Sequence, residues 1–212
     1  PALPSITARS RCLSPARYSS IRQGSVSVSE APAYISPFTL SDGTDGPDFR
    51  NESGTATISE AAVPALICLA GHPLDDDLPA TNIIRHLNSS RKILALAPDQ
   101  WLISDMNKSP EDLLGEVRQQ YTGKTVVCAD HSHAWSILRL SGPDATKCLS
   151  RLCPVDLHPD VFGQNDLIQT NMAGIYILCT RTAGQGDSFD LYMSNSYSRS
   201  FFEILRDAVK LA

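Results

Sequence analysis

The sequence lacks a hydrophobic run long enough to cross a lipid bilayer. Its longest apolar stretch, Ala61 to Gly71, is interrupted by Pro64 and is far shorter than the roughly 20 residues that a membrane-spanning helix needs. Apolar residues make up 42% of the 212 positions, which is enough for an ordinary hydrophobic core. These features predict a globular protein with no membrane partner, and we expect it in the cytoplasm.

Closely spaced cysteine pairs are also missing. The six cysteines form no Cys-x-x-Cys pair and no framework of short spacings, which argues against a disulfide scaffold and for a reducing compartment. Cys68 in ALICLAG and Cys179 in IYILC stand in apolar surroundings, where a thiol usually serves as a small buried hydrophobe. We therefore expect no metal-binding or redox role for the cysteines.

Acidic residues are absent from the first 29 positions, which contain four of the 18 basic residues. The remaining positions carry 14 basic against 23 acidic side chains, so a basic arm, residues 1–24, precedes an acidic body. A nucleic-acid-binding core would instead present a basic face with interleaved aromatic residues, so no nucleic-acid partner is predicted. The arm fits an organellar transit peptide or, as we prefer, a Pro- and Ser-rich extension along an acidic partner.

Motifs for binding nucleotides and for nucleophilic catalysis are missing as well. Gly184-x-Gly186-Asp187 lies between two predicted strands and lacks the following helix that a dinucleotide-binding glycine loop requires. The sequence contains no phosphate-binding glycine loop with a lysine and no serine in a nucleophile elbow. We therefore predict no catalytic and no cofactor-binding residue in this chain.

The most clearly marked junction joins a strand, Ala134 to Leu140, to a helix, Pro143 to Leu152. Pro143 lacks a backbone N–H, which is harmless at the first helical position, and Asp144 places a carboxylate near the positive end of the helix dipole. A second helix is expected after Ser109, which can act as its cap, and Gly123 ends it. A third closes the chain, capped by Ser196 or Ser198.

Short strands account for most of the remaining sequence. Alternating or β-branched apolar residues predict them at Ser25–Ala31, Tyr34–Leu40, Asn82–Leu87, Lys92–Leu96, Trp101–Ser104, Thr125–Ala129, Asp166–Thr170, Ile175–Thr180 and Ser188–Met193. The run from Glu60 to Leu74 is almost continuously apolar, and its periodicity does not decide between a helix and a buried strand.

The two halves of the chain, residues 25–123 and 124–212, show a weak internal repeat. With a constant shift of 88 positions, Trp101 aligns with Phe189, Asn107 with Asn195 and Val117 with Leu205. By this analogy Glu60 to Leu74 should be a helix that matches Pro143 to Leu152. The spacing therefore predicts an α+β protein with short strands and four helices, arranged as two β-α-β-β-α units.

Three segments carry a family resemblance: APDQWLI at Ala97 to Ile103, SGPDA at Ser141 to Ala145, and CPVDLHP at Cys153 to Pro159. Together they resemble the gamma subunit of bacterial heterotetrameric sarcosine oxidase, and the likeness runs from about Ser25 to the C-terminus. The resemblance implies the fold of the glycine-cleavage T-protein and its folate-binding relatives, in which two duplicated β-α-β-β-α, ferredoxin-like halves pack into one compact unit.

The resemblance also implies a function. Enzymes of this family oxidatively demethylate sarcosine to glycine, form hydrogen peroxide and transfer the one-carbon unit to tetrahydrofolate. FAD, FMN, NAD, tetrahydrofolate and zinc are expected in the alpha, beta and delta partner subunits, and this chain is expected to be a non-catalytic structural subunit. Two alternatives stay open: a free-standing folate-binding or aminomethyltransferase-like protein, and a solitary structural module.

Two local histidine motifs could carry chemistry. His131 and His133 would point to the same side of a strand, as in a metal site, but a third ligand is missing nearby, so a hydrogen-bonded or interfacial pair is preferred. Asp156 and His158 could form a general acid–base pair. We instead expect Asp156 to accept hydrogen bonds from backbone amides of the exit loop.

Aromatic residues suggest a surface for a partner protein. Trp135, Phe162 and Tyr176 lie in segments whose alternate positions already supply the core, so some of them are expected to be exposed and to form an interface.

Overall fold

The computed structural model describes residues 36–38, 47–71, 78–182 and 187–212. Three sequence predictions lie outside these ranges: the basic arm, the strand Ser25–Ala31 and the glycines at 184 and 186. Within the described ranges, the chain forms eleven β-strands, three α-helices and one short 3-10 helix. None of the described helices has the length and hydrophobicity that crossing a bilayer requires.

Most of the described secondary-structure elements are β-strands. The strands are β1 (Phe49–Arg50), β2 (Thr57–Glu60), β3 (Ala65–Gly71), β4 (Ile84–His86), β5 (Arg91–Ala97), β6 (Gln100–Asp105), β7 (Val126–Asp130), β8 (Trp135–Ser141), β9 (Leu167–Met172), β10 (Ile175–Arg181) and β11 (Ser188–Ser194). The helices are α1 (Pro110–Gln120), α2 (Ala145–Leu149) and α3 (Ser198–Lys210), and a 3-10 helix at Asn195–Tyr197 precedes α3.

All strands pair antiparallel, in two sheets. The six-stranded sheet has the order β1-β2-β8-β11-β10-β9, and the five-stranded sheet has the order β4-β5-β6-β3-β7. The two sheets exchange one strand each: β2 precedes β3 in the chain but pairs with β8, whereas β7 precedes β8 but pairs with β3. The α+β class is confirmed, and each sheet contains strands from both predicted halves.

Three hydrophobic layers hold the sheets and helices together. One lies between the six-stranded sheet and helices α2 and α3, where Leu191 and Phe201 are fully buried. A second lies between the five-stranded sheet and α1, around Ile67 and Leu113. The third lies between the two sheets and contains Tyr192. The arrangement is therefore helix, sheet, sheet, helix, with both faces of each sheet covered.

The helix predicted from Glu60 to Leu74 is wrong, because the described part of this run is strand β2, a short connection and strand β3. Along β3, Ile67 packs with the residues around α1, whereas Leu66 packs between the sheets. A strand that is buried on both faces is apolar at every position. The unbroken apolar run therefore reflects burial of both faces of β3. The described residues of the first half contain no helix that corresponds to α2.

The helix ends agree only partly with the sequence signals. Helix α1 begins as predicted, since the Asp112 N–H donates to Ser109 Oγ at 3.1 Å. Helix α2 is confined to Ala145–Leu149, because the residues from Gly142 to Asp144 form a turn instead. The predicted serine caps of α3 are wrong: Tyr197 occupies the cap position and makes no side-chain capping bond.

The predicted strand Tyr34–Leu40 is only partly described. Its described residues, Ser36 to Phe38, lie in a turn and not in a strand. They are held by side chains of the body: Ser36 Oγ donates to Glu60 at 2.7 Å, and Arg199 Nε donates to the Pro37 carbonyl at 2.9 Å. Phe38 makes an edge contact with Phe202 of α3. This short segment therefore docks against α3.

Candidate functional site

The motif that contains His131 and His133 forms a turn, not a strand. Strand β8 begins only at Trp135, and Asp130 fixes the preceding turn by accepting from the Ser132 N–H at 2.9 Å and from its hydroxyl at 2.6 Å. Ser132 Oγ in turn accepts from the Leu66 N–H. Over the described ranges, no three His, Cys, Asp or Glu side chains are placed to hold a metal ion.

Asp156 and His158 lie in the exposed loop that follows α2. The His158 N–H donates to Asp156 Oδ1 at 2.9 Å, which confirms the predicted role of this carboxylate as a partner of a backbone amide. The His158 side chain is 64% exposed and lies 3.5 Å from Asp160. The carboxylate and imidazole of the motif thus order the loop by local contacts.

The five described cysteines are all free thiols. Cys148 and Cys179 are fully buried between the six-stranded sheet and its helices, and burial raises the pKa of both thiols. A raised pKa keeps a thiol protonated and unreactive. The expectation that Cys68 and Cys179 are buried is confirmed, and Cys148 is buried as well.

A surface depression lined by aromatic residues is the strongest candidate for a functional site. We call it the aromatic hollow. It has a volume of about 290 Å³ and is lined by His131, Ala134, Trp135, Tyr176, Ser194 and Tyr197.

Neighbouring strand ends assemble this hollow. Strand β11 lies between β8 and β10 in the sheet, and Ser194 at the end of β11 pairs with Trp135 at the start of β8. Tyr176 is the second residue of β10, and Tyr197 ends the 3-10 helix that follows β11. Three segments that are distant in sequence, around Trp135, Tyr176 and Ser194 to Tyr197, therefore meet at one end of the central strands of the six-stranded sheet.

The phenol rings of the hollow remain open to solvent. Tyr176 is 51% exposed and Tyr197 is 54% exposed, and exposed apolar side chains that form one contiguous patch often mark a binding surface. Tyr176 donates its hydroxyl to Gln169 Oε1 at 2.6 Å, and partial burial raises its pKa. The hydroxyl therefore stays neutral, and the hollow offers aromatic faces with polar edges, which suit contact with another protein.

Of the three aromatic residues considered for exposure, Tyr176 is exposed, Trp135 is half-buried and Phe162 is buried. Trp135 and Tyr176 meet in the hollow, whereas Phe162 is only 2% exposed and stacks on Phe189, with ring centroids 6.3 Å apart. Sequence reasoning missed Tyr197. Its only signal was its position just before α3, outside the apolar stripe of that helix.

Sequence comparisons identify relatives of this chain. No protein-family model matches it. It is 40% identical over 95 residues to sarcosine oxidase subunit gamma of an Arthrobacter species, and 38% identical over 98 residues to the same subunit of Corynebacterium sp. strain U-96. These matches cover 44% and 46% of this chain and 45% and 46% of the relatives, so less than half of each curated relative is matched.

Solved structures extend the likeness over more of the chain. A chain of heterotetrameric sarcosine oxidase from Corynebacterium sp. U-96, solved in complex with pyrrole 2-carboxylate, superposes with a TM-score of 0.69 at 27% identity and covers 78% of this chain and 88% of that chain. Aminomethyltransferase T of the glycine cleavage system from Bartonella henselae has the same fold, with a TM-score of 0.55 at 16% identity, over 74% of this chain and 46% of that chain. The predicted resemblance is thus confirmed: this chain is similar to the gamma subunits of sarcosine oxidase and, in fold, to the glycine-cleavage T-protein.

Proposed function

We propose that this chain is the structural gamma-type subunit of a heterotetrameric sarcosine oxidase. The observation that carries the proposal is the superposition on 88% of a chain from such an enzyme, supported by 38–40% identity to curated gamma subunits. The subunit acts in the cytoplasm as part of an oxidoreductase complex and supplies a packed body on which its partners assemble.

The proposed chemistry belongs to the partners. The assembled enzyme oxidatively demethylates sarcosine to glycine, releases hydrogen peroxide and passes the one-carbon unit to tetrahydrofolate. FAD, FMN, NAD, tetrahydrofolate and zinc are assigned to the alpha, beta and delta subunits. No residue of this chain is assigned a catalytic, cofactor-binding or metal-binding role in the proposal.

The finer description of the fold as two duplicated halves is also part of the proposal. In its support, β4, β5, β6 and α1 follow one another in the first half as β9, β10, β11 and α3 do in the second. In addition, β3 lies beside β6 in one sheet and β8 lies beside β11 in the other. The exchange of β2 and β7 between the sheets would then link the two copies.

Purification under mild conditions from the native source tests the proposed function. We expect a yellow complex of four chain types in which this 23.0 kDa chain is present in equal amount to the others. A colourless protein that binds tetrahydrofolate by itself would instead support the free-standing aminomethyltransferase-like alternative. A colourless protein that binds neither flavin nor folate would support the remaining alternative, a solitary structural module.

The aromatic hollow is proposed as a contact with a partner subunit. Aromatic residues are enriched in the buried centres of protein interfaces, and Tyr176 and Tyr197 are about half exposed in the isolated chain. A partner that covers the hollow would remove both rings from water. The polar rim formed by His131 and Ser194 fits the usual pattern of an apolar centre with a polar edge.

A charge placed in the hollow is expected to weaken assembly. The substitution Tyr176→Glu should reduce co-purification with the partner subunits at least about tenfold, because an interface centre that loses an aromatic anchor and buries a carboxylate loses about 2 kcal/mol or more. Val161→Glu is the matched control, since Val161 is 62% exposed and lies outside the hollow. Normal assembly of Tyr176→Glu, measured by affinity co-purification, would remove the hollow from the interface.

A further inference from the structure

A second cavity opens between the two sheets and shares no residue with the aromatic hollow. We call it the inter-sheet cavity. Its volume is about 340 Å³, within the range of about 300–1,000 Å³ that is typical of small-molecule sites. Ala61 and Pro64 form part of its apolar wall, together with Ile137 of β8 and Tyr192 of β11. The cavity therefore has an apolar side against which the body of a small ligand could pack.

Two arginines at the inter-sheet cavity are already neutralised by carboxylates. Arg91 Nε lies 2.8 Å from Asp105, and its Nη2 lies 2.8 Å from Glu116. Arg139 binds Asp190 through two hydrogen bonds of 2.7 and 3.0 Å, and hydrogen bonding with this carboxylate raises the pKa of Arg139. Both guanidinium groups are therefore fixed as cations whose charge is compensated by the protein itself.

Lys92 is the cation that lacks such compensation. No carboxylate within the described part of the chain forms an ion pair with Lys92, whose Nζ lies 5.6 Å from the centre of the Tyr192 ring. Burial raises the pKa of Tyr192, so its phenol is neutral and does not offset the lysine charge. The wall of the inter-sheet cavity thus carries one ammonium group without an anionic partner.

The hydroxyl of Ser104 stands next to this lysine and has no hydrogen-bond partner of its own among the described residues. Ser104 is 1% exposed. Lys92 and Ser104 are directly opposite each other on strands β5 and β6, and opposite side chains project from the same face about 5 Å apart. Since leaving a buried hydroxyl without a hydrogen-bond partner is unfavourable, a ligand that supplies an acceptor to Ser104 would bind more tightly.

We propose that the inter-sheet cavity binds a small organic monocarboxylate. Its carboxylate accepts hydrogen bonds from Lys92 and Ser104, and its apolar body packs against Ile137 and Tyr192. A single negative charge is favoured because Lys92 is the one uncompensated cation among the lining residues, and a dianion would place excess charge near Asp190. This binding site is independent of the proposed subunit role.

Titration of the full 212-residue chain with benzoate tests the proposal, with backbone amide shifts followed by NMR. Saturable shifts are expected at Lys92, Ser104 and Tyr192. Benzamide, which lacks the charge, and inorganic phosphate, which lacks the apolar body, should each bind at least about tenfold more weakly than benzoate. Lys92→Met should weaken benzoate binding at least about tenfold, since it keeps the length of the side chain and removes the ammonium group. Lys147→Met should leave benzoate binding unchanged, because Lys147 does not line the cavity.

Ser104→Ala gives a second measurement that does not depend on the lysine. It removes only the hydroxyl and should weaken benzoate binding about threefold or more. The proposal fails if benzoate gives no saturable shifts at the cavity, if Lys92→Met or Ser104→Ala binds it as tightly as the unmodified chain, or if benzamide or phosphate binds equally well. If Lys92→Met does not fold, judged by its amide spectrum, the Ser104→Ala comparison decides.

Discussion

Gly142→Ala is expected to lower the free energy of unfolding by about 4 kcal/mol or more, or to prevent folding. Gly142 is the glycine of the SGPDA motif and has φ +123°, a conformation that residues with a Cβ atom rarely adopt. A Cβ at this position would lie 2.2 Å from the Thr55 carbonyl oxygen and 2.9 Å from its carbonyl carbon. Both atoms belong to the backbone, so no side-chain rotation can relieve the clash.

The surrounding backbone cannot move away, because hydrogen bonds hold the turn from several sides. The Gly142 N–H donates to the Asp187 carbonyl at 2.9 Å, and the Asp144 N–H donates to the Thr55 carbonyl at 3.1 Å. Directly beside the turn, Thr57 of β2 pairs with Ser141 of β8. Relief of the clash would therefore disrupt the strand exchange that joins β2 to the six-stranded sheet.

Two other glycines serve as matched controls for this substitution. Gly174 also has a positive φ, of +90°, but no atom lies within 4 Å of its added Cβ, so Gly174→Ala should cost only about 1–2 kcal/mol of backbone strain. Gly115 lies in α1 with open space around it, and Gly115→Ala should stabilise the protein by about 0.5–1 kcal/mol. Urea unfolding measures all three. A Gly142→Ala variant as stable as Gly174→Ala would show that close approach to Thr55 is unimportant.

Local signals in the sequence predicted the elements whose ends are set by neighbouring residues. Ser109 and Pro110 marked the start of α1, which the structure confirms. The strands on either side of residues 184 and 186 were also predicted, and β10 and β11 pair as neighbours in the sheet. In these cases the residues that determine the conformation lie within a few positions of one another, so a single sequence contains the necessary information.

The sequence could not predict features that depend on distant packing. The apolar run from Glu60 to Leu74 was predicted to be a helix by analogy with the second half, since its periodicity did not decide and nothing local shows that β3 is covered on both faces. The same limit applies to the candidate site. Alternation along a strand indicated that Tyr176 could be exposed, but Phe162 lies in a loop where no periodicity applies, and its burial depends on contacts with Phe189 and Arg181.

Arg181→Met is expected to lower the free energy of unfolding by about 3–5 kcal/mol. The Arg181 side chain is only 9% exposed and donates to the carbonyl oxygens of Leu157 and Phe162. It also forms an ion pair with Asp187, and its guanidinium lies 4.7 Å from the centre of the Phe189 ring. One side chain therefore ties the CPVDLHP loop to the hairpin of β10 and β11.

The cost is large because methionine replaces the volume of Arg181 without its donors. Two carbonyl groups would lose their hydrogen bonds, and Asp187 would keep only the hydroxyl of Thr146 among its described side-chain partners. Arg118→Met is the control: Arg118 is exposed in the last turn of α1, where an interaction with the helix dipole contributes about 0.3–1 kcal/mol. Both variants are compared by urea unfolding. If Arg181→Met loses no more stability than Arg118→Met, then packing of Leu157 and Phe162, and not Arg181, holds the CPVDLHP loop in place.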